Sequence, residues 1–337
     1  MEIRVRVPMR VDLAGGTLDV YPLYLFEGGG LTVNAAVDIF AEVQIATRAD
    51  ERVTIQSDDL GQAEIHANLG ALTLQGPLSL VHYALAYYRP EGGLDIRINS
   101  HAPQGSGIGA SSALLMALSA ALCRLTGREI AYPRIIDVGA NIEAQVIGIP
   151  TGKQDYFPPL YGGVCSIWFG IDGWEIERLS HGNGLLALLN ERLIVSFTGT
   201  PHSSAATNWA MLKSYIERQG DTVARMHEIK EIARAMRQCL IDQDLPRFYE
   251  LVDREWQLRR GLAEGVTTPE IERLMAAAAQ AGARASKICG AGGGGCMITV
   301  AEPEDIGAVR QALAAAGARI LPARLVETGL EMDVIGE

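Results

Sequence analysis

The run PQGSGIGASSA, Pro103 to Ala113, carries glycine at alternate positions: Gly105, Gly107 and Gly109. Stripping side chains at that spacing lets successive backbone N–H groups converge on one anion. Behind it, Ser111 to Leu125 is made almost wholly of helix formers and small residues, with Ser111 and Ser112 in capping position. A helix N-terminus should therefore point its positive dipole end into the loop. The chemistry is that of a phosphate cradle formed by Pro103, Gly105, Ser106, Gly107, Gly109, Ala110, Ser111 and Ser112, and a phosphorylated ligand is the first expectation. No lysine follows these glycines, so the Walker pattern GxxxxGK[ST] is excluded. The dinucleotide pattern GxGxx(G/A) is met formally by Gly105, Gly107 and Ala110, with Glu129 about twenty residues on. Against it, the polar NSHAPQ separates the preceding strand from the first glycine, so a nicotinamide-dependent oxidoreductase is the weaker reading.

Other residues could act beside such a loop. MRVDLAGGTLDVYP places Arg10, Asp12 and Asp19 around Gly15 and Gly16, for which a hairpin turn with solvated charges is the alternative. Glu143 ends an amphipathic run, and Asp155 sits in TGKQDYFPPLYGG two residues after Lys153, itself either a phosphate contact or a solvated charge. A third glycine cluster spans Gly290 and Gly292 to Gly295. His202, in TGTPHSS, is either a substrate contact or a capping or surface residue. The six histidines lack ligand spacing, and the five cysteines form no CxxC pair, which argues against a zinc site and a disulfide framework.

The elements that must position these residues follow from periodicity. EIRVRV alternates like a half-buried strand that Pro8 interrupts, and LTVNAAVDIFAEVQIAT and RVTIQS are β-branched and strand-like. Residues 76 to 89 read as a helix, LDIRI as the strand delivering the phosphate loop, and Pro133 opens a helix that Gly148 and Pro150 break. VCSIWF and ERLIVSF look like strands, with a domain boundary between residues 160 and 185. Helical periodicity occupies 205 to 218, 222 to 241, 245 to 262 and 269 to 281. RASKI and CMITVA then read as strands around the last glycines, Pro303 starts a helix, and ARILPARLV closes as a strand, a succession like a split βαβ unit.

The 337 residues suffice for two compact domains. A net charge of −11 without a basic run argues against a nucleic-acid partner. No eighteen-residue window is free of polar residues, and MEIRVRVPMR has charge where a signal peptide needs an apolar core, so no membrane association and a cytoplasmic location are expected.

VPMRVDLAGGTLDV, PQGSGIGASSA and KICGAGGGGC, in this order and joined by IEAQVIGIPTGKQD, resemble the three signature motifs of the GHMP kinases. The resemblance implies an α+β fold, an N-terminal domain like ribosomal protein S5 domain 2 (1–170) and a C-terminal ferredoxin-like domain with added helices (171–337). It further implies ATP- and Mg²⁺-dependent phosphorylation of a small-molecule hydroxyl. By position, Ser111 and Glu143 would hold Mg²⁺, Asp155 would be the catalytic aspartate with Arg10 as its cation, and Gly16, Thr17, Asp19, Gly292 and Gly293 would meet the substrate, with Gly290 against the phosphate loop. RVDLAGGTLDV, PQGSGIGASSAL and FTGTPHSS are most similar to the sugar-kinase branch, which includes heptose 7-phosphate and L-fucose kinase-like proteins. That branch implies an anomeric hydroxyl of a sugar or sugar phosphate, heptose 7-phosphate first. Leu18 departs from its GGGTD pattern and leaves the sugar open. Fucose-, galactose- or mevalonate-type kinases and a catalytically silent ligand sensor are the alternatives, and a homodimer is left open.

Overall fold

The computed structural model describes residues 1–201 and 204–336. Strand β1 (Glu2–Ala14) and the long β2 (Gly30–Thr47) run antiparallel along nearly their whole length, with a short helix α1 (Leu23–Phe26) between them. Pro8 does not end β1, contrary to expectation. It pairs with Phe40 at a register shift between Pro8 and Met9, where a bulge accommodates the missing N–H. The strands β3 (Val53–Ser57) and β4 (Gln62–His66) form a hairpin, and α2 (Ser79–Tyr88) leads to β5 (Leu94–Ser100), which lies between β2 and β3. Next come α3 (Ala110–Leu125), α4 (Tyr132–Ile147), α5 (Phe157–Tyr161), β6 (Val164–Gly170), β7 (Gly173–Arg178) and α6 (Leu185–Asn190). The segment expected as a loop around Asp155 is a 3-10 turn, Gln154–Tyr156, running into α5, whose Pro158 and Pro159 fall in the first turn where no N–H is needed.

The second half begins with β8 (Leu193–Phe197), followed by α7 (Ser204–Ile216), α8 (Thr222–Asp242), α9 (Leu245–Arg259) and α10 (Pro269–Gln280). It ends with β9 (Ala285–Ile288), β10 (Cys296–Val300), α11 (Ile306–Ala315), β11 (Arg319–Leu321) and β12 (Glu331–Ile335). The four strands β8 to β11 form an antiparallel sheet in the order β11-β8-β10-β9, the order of a ferredoxin-like sandwich. ARILPARLV is a strand only as far as Leu321, because Pro322 cannot donate to the ladder. The eight-stranded sheet draws β7 and β12 from beyond residue 170, β12 pairing with the outer edge of β1.

The burial of β1 alternates to Val7 and is then continuous to Ala14. Its second half is covered on both faces, since α3 packs against it and so do α8 and α9. Helix α3 is buried nearly all round, as a helix between a sheet and other helices must be. One hydrophobic core joins the large sheet to α2 to α5 and also takes in α8, α9 and part of the smaller sheet. A second, around the ferredoxin-like sheet, is entered from the N-terminal half by Leu18, Val20 and Leu23. Leu18, the residue that departs from the sugar-kinase pattern, is fully buried there. No helix among the described residues is long and apolar enough to cross a membrane.

Candidate active site

A cleft of about 490 Å³ opens between the two halves. One wall is the β3–β4 turn (Ser57, Asp59, Leu60) and the start of α2 (Pro77, Leu78, Ser79). Its floor is Pro103 to Gly107 with Gly109 to Ser112, and its far end gathers Arg10, Thr17, Asp19, Glu143, Gln154 and Asp155.

Gly105, Gly107 and Gly109 have φ of 65°, 67° and 76°. Left-handed residues at every second position give the alternating backbone that turns N–H groups to one side, an anion-binding nest. Gly109 is the N-cap of α3 and no side chain caps the helix, so Ser111 and Ser112 lie in the first turn instead of at the expected capping position. Ser111 is exposed toward the cleft, whereas Ser112 is buried and donates to Glu143 Oε2 at 2.9 Å. The same oxygen accepts a short hydrogen bond from the Tyr156 hydroxyl. Burial raises the Glu143 pKa above the ordinary carboxylate value, opposed by the hydroxyls of Tyr156, Ser111 and Ser112.

Arg10 joins loop and aspartate. Its Nε donates to Asp155 Oδ1 at 2.8 Å, its Nη2 lies 2.6 Å from the same oxygen, and its Nη1 donates to the Gly107 carbonyl at 2.8 Å. A Cβ on Gly109 would stand 3.3 Å from Asp155 Cβ, so that glycine lets the aspartate lie against the helix N-terminus. The third glycine cluster folds onto the loop: Cys296 N donates to Ser106 O at 2.6 Å, and a Cβ on Gly290 would stand 3.1 Å from Gly107 O. Gly290 and Ala291 line the cleft, but Gly292 and Gly293, expected at the substrate, pack instead on Val266, whose carbonyl accepts from Gly293 N at 2.7 Å.

Asp19 is buried, its Oδ2 accepting from Gln154 N at 2.9 Å. Burial pushes its pKa up to about 7, against the backbone hydrogen bond from Gln154. Asp19 Oδ1 and Gln154 Oε1 are buried without a hydrogen-bond partner, two acceptors at the cleft's far end. Thr17 lines the cleft, while Gly16 lies behind it, its carbonyl accepting from Arg259 Nη2 at 2.8 Å. Lys153 pairs with Asp137 at 2.7 Å and is not at the cleft. His202 lies outside the described residues.

Sequence reasoning missed a group of four charges beneath the Gly15–Gly16 turn. Lys287 Nζ is 3.0 Å from Asp12 Oδ2 and 3.1 Å from Glu255 Oε2, and Arg259 Nη2 is 2.5 Å from Glu255 Oε1, all four side chains fully buried. Burial alone would raise the Glu255 pKa, but Arg259 and Lys287 hold it below the ordinary value. Arg259 Nη1 also donates to Thr17 Oγ1 at 3.3 Å, bracing a β-branched residue with φ of 78°.

Among the described residues lining the cleft, one guanidinium, Arg10, faces four carboxylates: Asp19, Asp59, Glu143 and Asp155. A polyphosphate could settle there only with backbone N–H groups and a divalent cation to neutralise it. The Ser111 hydroxyl and the Glu143 carboxylate are hard oxygen donors of the kind Mg²⁺ takes while keeping most of its water, so the donor set fits that ion.

The family model of the GHMP kinases N terminal domain matches residues 78–163, and that of the GHMP kinases C terminal matches residues 220–319. A D-glycero-alpha-D-manno-heptose 7-phosphate kinase of Campylobacter jejuni is 25% identical over 309 residues, covering 89% of this chain and 90% of that protein. A mevalonate kinase of Thermococcus onnurineus is 26% identical over 355 residues, covering 99% of each. A solved structure described as a D-glycero-D-manno-heptose 1-phosphate kinase from Bacteroides thetaiotaomicron superposes with a TM-score of 0.80 at 24% identity, over 99% of this chain and all of the other.

Proposed function

We propose, from the premise that the chain belongs to the GHMP kinases, that it transfers the γ-phosphoryl group of ATP to a hydroxyl of a sugar or sugar phosphate. D-glycero-D-manno-heptose 7-phosphate with its anomeric hydroxyl is the first acceptor. The observation that carries a polyhydroxyl acceptor is the pair of buried, unpartnered oxygens Asp19 Oδ1 and Gln154 Oε1 beside Asp155. Buried acceptors left unmatched cost free energy, and hydroxyl groups are the donors that would satisfy them.

The residues divide the task. The loop of alternating left-handed glycines and the α3 N-terminus hold the phosphates, and Ser111 with Glu143 would hold Mg²⁺, which neutralises charge on the transferring group. Ser112 and Tyr156 fix the Glu143 carboxylate in direction by hydrogen bonds to one oxygen. Asp155, held by Arg10, orients the acceptor hydroxyl and receives its proton as the bond to phosphorus forms. Because Arg10 also holds the Gly107 carbonyl, one side chain fixes the distance between phosphate loop and aspartate.

A second reading, a neutral sugar of the fucose or galactose type, has its own support. Among the described residues lining the cleft Arg10 is the single cation, and it is already engaged by Asp155, which leaves little to meet an acceptor phosphate. An ADP-release screen with Mg·ATP over heptose 7-phosphate, fucose, galactose, mannose, homoserine and mevalonate decides between them. Turnover with heptose 7-phosphate alone supports the first reading, turnover with a neutral sugar the second, and turnover only with homoserine or mevalonate removes both.

A further inference from the structure

Glu64 and His66 on β4, opposite the buried Ile55 and Val53 of β3, meet His82 of α2 on the helix-facing side of the β3–β4 hairpin, although the sequence separates the histidines by a spacing that suggests no ligand pair. Glu64 Oε2 lies 2.9 Å from Nε2 of each imidazole, and the three ligand atoms are all within 4.8 Å of one another. His82 is 1% exposed and makes no hydrogen bond at either ring nitrogen, its Nε2 being near the carboxylate but out of line for one. A buried imidazole without a partner is costly, and this one stands against a carboxylate and a second imidazole. Glu64 and His66 remain partly open to solvent, with side-chain exposures of 26% and 16%, which gives an ion a route in and a water a place to complete the coordination.

We infer that Glu64, His66 and His82 form a binding site for a divalent transition-metal ion of the zinc class. Two imidazoles and one carboxylate with an open fourth position is a donor set that zinc accepts, whereas imidazole nitrogen does not suit Mg²⁺. With metal–ligand bonds of about 2.0–2.1 Å in a tetrahedron, neighbouring ligand atoms lie roughly 3.3 Å apart. The two 2.9 Å contacts need to widen only slightly to admit the ion. The ion would pin β4 to α2, and both elements reach the cleft, the hairpin through Asp59 and Leu60 and the helix through Ser79 and Leu80. The site is therefore a clamp on the wall that the β3–β4 hairpin and α2 give to the cleft, made of residues other than the Mg²⁺ donors Ser111 and Glu143.

The test is calorimetric titration of the whole protein with Zn²⁺ alone, paralleled by Co²⁺ followed in the visible spectrum, on the wild type and on Glu64→Gln and His66→Asn. Both substitutions fall at partly exposed positions, and all five cysteines are buried, so surface thiols do not compete. One Zn²⁺ per chain, d–d bands of low-coordinate Co²⁺, and affinity reduced by more than about 10-fold in each variant, with circular dichroism kept, are expected. Equal Zn²⁺ binding in wild type and both variants, or no saturable binding to the wild type at submillimolar Zn²⁺, would overturn the inference.

Discussion

Replacing Lys287 by methionine separates a structural from a decorative role for the four buried charges. Lys287 neutralises Asp12 at 3.0 Å and Glu255 at 3.1 Å, while Arg259 forms its ion pair with Glu255. Removing the ammonium leaves two carboxylates and one guanidinium, a net charge of −1 where every side chain is 0% exposed. At an effective dielectric of about 20, each contact near 3 Å is worth roughly 5 kcal/mol of Coulomb attraction. Loss of hydration offsets most of this in the intact group, but in the variant the orphaned carboxylate still bears that desolvation cost without its partner's attraction, so a loss of about 3–5 kcal/mol is expected. The assay is urea unfolding of wild type, Lys287→Met, Asp12→Asn and the double variant. The double variant should regain about 1–3 kcal/mol relative to Lys287→Met, because only the neutral Glu255–Arg259 pair then remains charged. A loss below about 1 kcal/mol in Lys287→Met, or no recovery on adding Asp12→Asn, would refute the reasoning.

Three further outcomes follow from the site. Asp155→Asn should lower kcat by about 10²–10⁴-fold with ATP affinity nearly kept, as read by steady-state kinetics and by tryptophan fluorescence titration; an unaffected rate would remove Asp155 from the chemistry. Glu143→Gln keeps the groups that Ser112 and Tyr156 bind but weakens the metal donor, so half-saturation should need about 10-fold more Mg²⁺, and an unchanged Mg²⁺ titration would count against the assignment. Asp19, with its pKa pushed up to about 7 by burial, binds a proton in the folded state that the unfolded chain releases near pH ~3.9. Its contribution is thus fully present below about pH 4 and is lost as pH rises through about 7, up to about 4 kcal/mol in all. Stability measured from about pH 5 to about pH 8 should fall less steeply in Asp19→Asn than in wild type; parallel curves would show that Asp19 does not titrate in this range.

What the sequence disclosed was local or came in contiguous words. The phosphate loop needs its glycines next to one another in the chain, so Gly105, Gly107 and Gly109 were visible at once, and Asp155 came with its motif. The helices and closing strands of the second half were legible from their periodicity, their ferredoxin-like arrangement only through the family resemblance, whereas β4 and β12, exposed and polar at alternate positions, carry little apolar signal. Glu255 and Arg259 look like an ordinary solvated i,i+4 pair. Only their phase betrays them, since they share a stripe with Val252 and Trp256, which are buried. Lys287 inside ASKI and the histidines 66 and 82 gave no local signal at all, because their partners arrive from other elements. Gly292 and Gly293 misled for the opposite reason: a run of glycines does not say which of its members faces the ligand and which lets the chain turn past Val266.

The pairing of β12 with Glu2–Arg6 of β1 bears on the order in which the molecule can be completed on the ribosome. Strand β1, which bears Arg10, is synthesised some three hundred residues before β12 and has one flank unzipped until β12 has emerged. Contacts of such span close late, and an unpaired flank invites association with neighbouring nascent chains. A product cut short before residue 331 would keep every glycine turn and every acidic group of the cleft and still present a sticky border.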